Sequence, residues 1–292
     1  MNHSDTVCRL LLAFVILRVT LMTRPISLAA LTVLELTPAE LVSCAAEAGF
    51  SHVGIRLLPA TPTEARHDIV GDTPLRREVE RRLAGSGVRV LDAEIFRLRP
   101  DTRIADCEAA IATAACLGAR ELLVAGNDPD ESRLADSFAA FCDLAARYRL
   151  GACLEFMPWT DARDLRQAAR IVEAGARDNG GVLVDAFHFS RSRSDLDTLA
   201  TVPPSRLHYL QLCDVPQAVP PTMDSILAEA RAERLFPGEG GLDLIGLLRA
   251  MPRDIPLSIE VPTATLARRV GAAERARRAL AATRRVLAQL DT

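Results

Sequence analysis

The chain contains no lysine; all 35 basic residues are arginine. Chemistry that needs a side-chain amine is therefore excluded: a Schiff base with a substrate carbonyl, a lysine-linked pyridoxal cofactor, and a P-loop phosphate lysine. No C-x-x-C pair occurs among the seven cysteines, and most sit in apolar runs, which reads as reduced core thiols of a cytoplasmic protein. Only Cys213 stands out as a thiol to check for reactivity. There is no block of like charge and the net charge is −3, so no electrostatic footprint for nucleic acid exists. No G-x-G-x-x-G follows the first apolar run, and no linker or low-complexity stretch divides the chain.

Long hydrophobic runs are also missing. Residues 10–17 (LLLAFVIL) form the one sustained apolar stretch, bounded by Arg9 and Arg18. It is too short to span a bilayer, and no small-residue cleavage site follows it. It reads as a start assigned too early, or a dispensable extension ahead of Met22, with a signal or membrane anchor as the competing reading. The expected organisation is an N-terminal extension over residues 1–23 and one folded unit over 24–292. No membrane partner is expected.

What the chain does have is rhythm. From residue 25 onward, short β-rich runs alternate with helical ones. Strands are expected at 26–31, 52–57, 88–96, 121–125, 152–156, 182–187, 207–212 and 256–261. Helices are expected at 37–50, 75–83, 104–117, 132–148, 161–176, 196–200, 224–232, 242–250 and 265–290. Thr37-Pro38-Ala39-Glu40 combines an N-cap, a proline at the first helical position and a capping box. Eight β/α units over this length predict a single (β/α)8 TIM barrel. A doubly wound open sheet is the structural rival, disfavoured by the missing glycine fingerprint.

Four of the expected strands end on an oxygen-bearing side chain. Glu155 closes Ala-Cys-Leu-Glu, Asp185 closes Val-Leu-Val-Asp, Gln211 closes His-Tyr-Leu-Gln and Glu260 closes Leu-Ser-Ile-Glu. They stand 30, 26 and 49 residues apart. The first two intervals are one β/α unit each, and the third is one unit plus a long loop. In a closed parallel barrel these ends share one rim. Three carboxylates gathered in a partly dry site require a cation. One divalent metal ion is expected, with hard oxygen donors favouring Mn²⁺ or Mg²⁺ ahead of Co²⁺.

At this point the chain resembles the xylose-isomerase-like barrels, a family of sugar phosphate isomerases and epimerases. The resemblance covers residues 25–290. It rests most on LEFMPW (154–159), VLVDAFHF (182–189), LHYLQLCD (207–214), FPGEGGLDL (236–244) and LSIEVP (257–262). It implies metal ligation by Glu155, Asp185, Gln211 and Glu260, and a substrate contact for His188 in the family's D-x-x-H. One subgroup, the bacterial 3-dehydroshikimate dehydratases, is similar in having Gln as third ligand within LQL-x-D. It also has an Arg before a PG-x-GG-x-D turn, matched here by Arg234. Arg97 looks like the subgroup's other carboxylate-binding Arg. Where that subgroup has a substrate-binding Ser, this chain has Ala230.

The resulting expectation is a metal-dependent isomerase or epimerase acting on a polyhydroxy carbonyl or carboxylate substrate, with a dehydratase as the alternative. Glu155 or Glu260 would take the α-proton, and the opposite carboxylate would return one. His188 would orient or protonate a substrate oxygen. Arg97, Arg234 and Arg56 are candidate anion anchors, because a guanidinium fork matches carboxylate and phosphate. Trp159 would wall the pocket. A metal-dependent nuclease on the same barrel would need more histidine than the five present and a basic face. A non-catalytic barrel would not need the ligand set. Homo-oligomerisation through the outer helices is left open.

Overall fold

The computed structural model describes residues 24–290. The apolar run at 10–17, Met22, His3 and Cys8 lie outside the described residues. Among the described residues no helix is long and apolar enough to cross a membrane.

The eight strands close into a barrel in sequence order, every pair parallel. They are β1 (Ile26–Leu28), β2 (His52–Arg56), β3 (Arg89–Leu98), β4 (Glu121–Gly126), β5 (Gly151–Glu155), β6 (Gly180–Asp185), β7 (Leu207–Leu212) and β8 (Leu257–Ile259). The outer helices include α1 (Pro38–Ala48), α2 (Pro74–Ser86), α3 (Glu108–Cys116), α4 (Glu131–Arg147), α5 (Leu165–Gly175), α6 (Ala186–Arg191), α7 (Leu196–Ala200), α8 (Met223–Ala232), α9 (Leu244–Ala250), α10 (Ala264–Ala267) and α11 (Ala272–Ala288). Period-two alternation sorts the strand residues. Leu122, Val124, Leu154, Val182, Leu210 and Ile259 pack outward under the helices. Leu91, Leu123, Cys153, Leu183 and Tyr209 fill the barrel.

Several boundaries differ from expectation, each for a local reason. The first strand stops at Leu28, and a 3₁₀ turn takes up Ala30–Val33. The sixth strand stops at Asp185 rather than 187, because the Asp185 carboxylate accepts the His188 backbone N–H and starts α6. The fifth helix begins at Leu165, not 161, since Asp164 is its N-cap. The closing helix is two pieces, α10 and α11, with Gly271 in extended geometry at the N-cap of the second. The third strand runs on to Leu98, so Arg97 lies on it rather than after it. The expected capping box at Thr37 and Glu40 is present.

Of the three register slips in the sheet, two bear on the residues followed below. The β3–β4 register slips between Ala93 and Phe96, and the β6–β7 register slips between Val182 and Val184. Across the second slip, Leu183 alone faces both His208 and Tyr209, and both of those turn inward. The turn at 237–241 is held from below by Asp214, whose carboxylate accepts the Gly238, Leu242 and Val215 backbone N–H groups. Gly238 takes φ +83 there, a conformation that favours glycine.

Candidate metal centre

The four strand-end residues reach one rim, and all four are buried, none above 4% exposed. Glu155, Asp185 and His188 each present a ligand atom within 4.8 Å of the others. Gln211 Nε2 donates to Glu260 Oε1 at 3.3 Å. Arg234 joins the two halves: its Nη1 stands 2.8 Å from Asp185 Oδ2 and 3.2 Å from Glu260 Oε2. Its Nε donates to the Ala230 carbonyl at 2.9 Å, which fixes the stem at the end of α8. The guanidinium also lies over the Phe187 ring, 4.8 Å from its centroid. Arg234, expected from sequence to meet the substrate, is thus engaged with two carboxylates of the protein.

A cavity of about 280 Å³ opens above this cluster. Arg56, Arg97, Glu155, Trp159, His188, Arg234 and Glu260 all line it. The Trp159 ring meets His188 edge-on at 5.0 Å between centroids. Met157, Ile95, Leu123 and Leu34 supply apolar wall. Of the residues expected from sequence to ligate metal or meet substrate, Asp185 and Gln211 do not line the cavity; they join it through Arg234 and Glu260.

Sequence reasoning missed three charged lining residues: Glu64, Glu94 and Arg231. Glu94 escapes a period-two reading because the register slip after Ala93 brings both Glu94 and Ile95 inward. Glu64 comes from the loop after β2, which carries no motif. Arg56 Nε stands 3.4 Å from both Glu64 Oε1 and Glu94 Oε1. Arg97 is different: it donates to Asn127 Oδ1 at 3.0 Å and the Ala60 carbonyl at 3.3 Å. Among the described residues, neither Arg97 nor Arg231 is paired with a carboxylate.

The electrostatics follow from burial. Burial, then Glu260 and Asp185, pushes the Glu155 carboxyl well above its ordinary range. Burial pushes Glu260 up to about 7 against the pull of Arg234. Burial holds His188 down at about 3, so its imidazole is neutral near pH 7. Beneath the cavity, burial and then Glu94 keep Asp92 far above the usual carboxyl range. Cys213 lies 3.7 Å from Arg234 Nη1, and burial pushes its thiol up rather than toward a reactive thiolate.

The residues present fit a divalent cation. Three buried carboxyls have one guanidinium between them, which balances a single charge. Gln211 Oε1 is buried without a hydrogen-bond partner while its amide nitrogen is engaged, so an unmatched oxygen faces the cluster. His188 Nδ1 is likewise unmatched.

The xylose isomerase-like TIM barrel family profile matches residues 42–286. The chain belongs to this family. As a xylose isomerase-like barrel it shares 31% identity over 132 residues with the 3-dehydroshikimate dehydratase of Pseudomonas aeruginosa, 44% of this chain and 20% of that one. It shares 29% identity over 120 residues with the inosose isomerase of Bacillus velezensis, 40% of each chain. These matches span about a fifth and two fifths of those relatives. Among solved structures the fold is similar to that of the IolI protein with a bound zinc atom, with a TM-score of 0.74, 20% identity, and coverage of 91% of this chain and 99% of that one.

Proposed function

We propose that the chain is a divalent-metal-dependent enzyme that enolises a polyhydroxy carbonyl substrate, as a sugar or sugar phosphate isomerase or epimerase. One observation carries the reading: Glu155, Asp185, Gln211 and Glu260 come from four consecutive strands to one buried cluster at the C-terminal rim. Barrel enzymes place catalytic groups at that rim. Those four residues would hold the cation, with His188 as a further donor beside Glu155. An oxygen set suits Mn²⁺ or Mg²⁺, and the added nitrogen lets Zn²⁺ or Co²⁺ compete. The metal would supply Lewis-acid polarisation of the substrate carbonyl.

The chain's own residues do the rest. Glu155 and Glu260 both line the cavity. One takes the proton from the carbon beside the carbonyl, leaving an enediolate. The other returns a proton, to the opposite face in epimerisation or to the neighbouring carbon in isomerisation. The His188 ring nitrogen not given to the cation holds a substrate oxygen, and the Trp159 ring limits water at that edge. Arg56 sets the charge of the far wall through Glu64 and Glu94.

A second reading is favoured by Arg97 and Arg231, two cavity guanidiniums with no carboxylate partner among the described residues. They suit a substrate carboxylate, and the same enediolate can then expel a β-hydroxyl as water. A dehydratase acting on a carboxylated ring would use the site that way. The test is a Mn²⁺-loaded screen of ketoses, sugar phosphates, inososes and dehydroshikimate, read by product and by exchange of the α-hydrogen with D₂O. Absence of exchange and product across the whole set sinks the enolisation reading.

A further inference from the structure

We propose that the N-terminal end of the barrel carries a second cation site, formed by Glu121, Cys153 and His208 and suited to Zn²⁺. A carboxylate oxygen, a thiol sulfur and an imidazole nitrogen there all lie within 4.8 Å of one another. His208 Nδ1 stands 2.8 Å from Glu121 Oε2, and Cys153 Sγ stands 3.4 Å from the same oxygen. The three come from β4, β5 and β7, so no local turn accounts for their meeting.

The barrel makes room for them. Glu121 lies across Gly151 of β5, where a Cβ would stand 2.0 Å from Glu121 Oε2. His208 lies against Gly181 of β6, where a Cβ would stand 2.8 Å from the imidazole. His208 enters the barrel because of the β6–β7 register slip. Two glycines and one irregularity therefore admit the side chains that converge.

The donor set differs in kind from the rim. Sulfur and nitrogen beside one carboxylate form a borderline-soft site, whereas the rim offers four oxygen-bearing side chains with the His188 nitrogen beside them and no sulfur. Three protein ligands leave a fourth position for solvent. Glu121 and His208 side chains are 17% and 15% exposed, which gives an entry path from the barrel floor, while Cys153 is sealed. On binding, the Cys153 S–H bond breaks, its proton leaves to water, and the sulfur electron pair goes to the cation. The cation would strap three strands together beneath the catalytic rim. Cys153 is two residues before Glu155 on β5, about 6–7 Å along the strand.

Cobalt substitution separates the two sites. A thiolate on Co²⁺ gives a near-ultraviolet charge-transfer band that an oxygen-and-nitrogen site does not. The full-length chain, stripped with chelator and titrated with Co²⁺, should take up roughly two equivalents and show that band. Cys153→Ser should lose the band and about one equivalent of metal, while Cys213→Ser keeps both. Asp185→Asn with Glu260→Gln should keep the band and lose the rim equivalent. Should Cys153→Ser fail to fold, His208→Gln serves instead, with a displaced band and weaker uptake. A wild-type spectrum without the band, or a band that survives Cys153→Ser, overturns the assignment and leaves a hydrogen-bonded cluster only.

Discussion

Arg234 donates to Asp185 across 2.8 Å, with both side chains almost sealed from water. The same nitrogen faces Glu260 at 3.2 Å. Burial alone would lower the guanidinium's pKa, yet the net shift is upward, driven by Asp185, Cys213 and Glu260. The pair is therefore an electrostatic anchor for the buried carboxylate cluster.

Breaking that anchor should be costly without metal and cheap with it. Removing one partner of a buried pair leaves an uncompensated charge, typically a loss of about 3–5 kcal/mol. Arg234→Met should lose stability of that order in chelator, and excess Mn²⁺ should restore most of it. Urea melts with and without Mn²⁺ measure the difference. Equal destabilisation in both conditions would falsify the idea that a cation shares this cluster.

The two cavity carboxylates should behave differently from the amide. Glu155→Gln and Glu260→Gln should lower turnover by about 10²–10⁴-fold, the usual contribution of a general base. Gln211→Ala should chiefly weaken metal affinity, since its proposed role is one oxygen donor. Steady-state kinetics beside metal titration distinguishes the two patterns.

Acidity should act on the metal-free protein in two opposite ways. Glu260 is raised from 4.5 to about 7, so its contribution to stability is full below the unfolded value and lost as pH rises through about 7. The size is on the order of 3 kcal/mol. His188 is lowered from 6.5 to about 3, so its contribution is full above 6.5 and is lost as pH falls toward 3. Glu260→Gln should reduce the first slope around pH 7, leaving the part due to Glu155 and Asp92, whose carboxyls are also raised, and should leave the second. Metal affinity should rise with pH through about 7, because binding must displace the protons of Glu260 and of Glu155, which is also raised. Calorimetric titrations across that window report it, and a flat profile in the wild type speaks against Glu260 as a ligand.

Arg97 should matter only to a charged substrate. It is one of two cavity guanidiniums with no carboxylate partner among the described residues, and a hydrogen bond to a charged group contributes about 1.5–3 kcal/mol. Arg97→Met should raise KM about 10–100-fold for a carboxylate or phosphate substrate. A neutral ketose should be affected little. An equal loss on both substrates would make Arg97 a packing residue.

Much of this was legible along the chain. Glu155, Asp185 and Gln211 could be read as strand ends because each closes a short apolar run, and a parallel barrel puts all such ends on one face. Gln211 was identifiable as a candidate donor by its place in that pattern. Glu94 was not, because a register slip on β3 breaks the alternation that would have flagged it. Nor was the meeting of Glu121, Cys153 and His208, since nothing in sequence relates positions that far apart.

The sequence by itself determined the barrel, its strand count and its acidic rim, because periodicity and turn chemistry are local and repeat with every β/α unit. Only the tertiary structure decided that Arg234 binds Asp185 and Glu260, that Arg97 has no acidic partner among the described residues, and that a mixed-donor cluster sits on the barrel floor. Those outcomes depend on register, closure and the direction each side chain takes across the barrel. They are distances between strands, and distances of that kind appear only when the sheet closes.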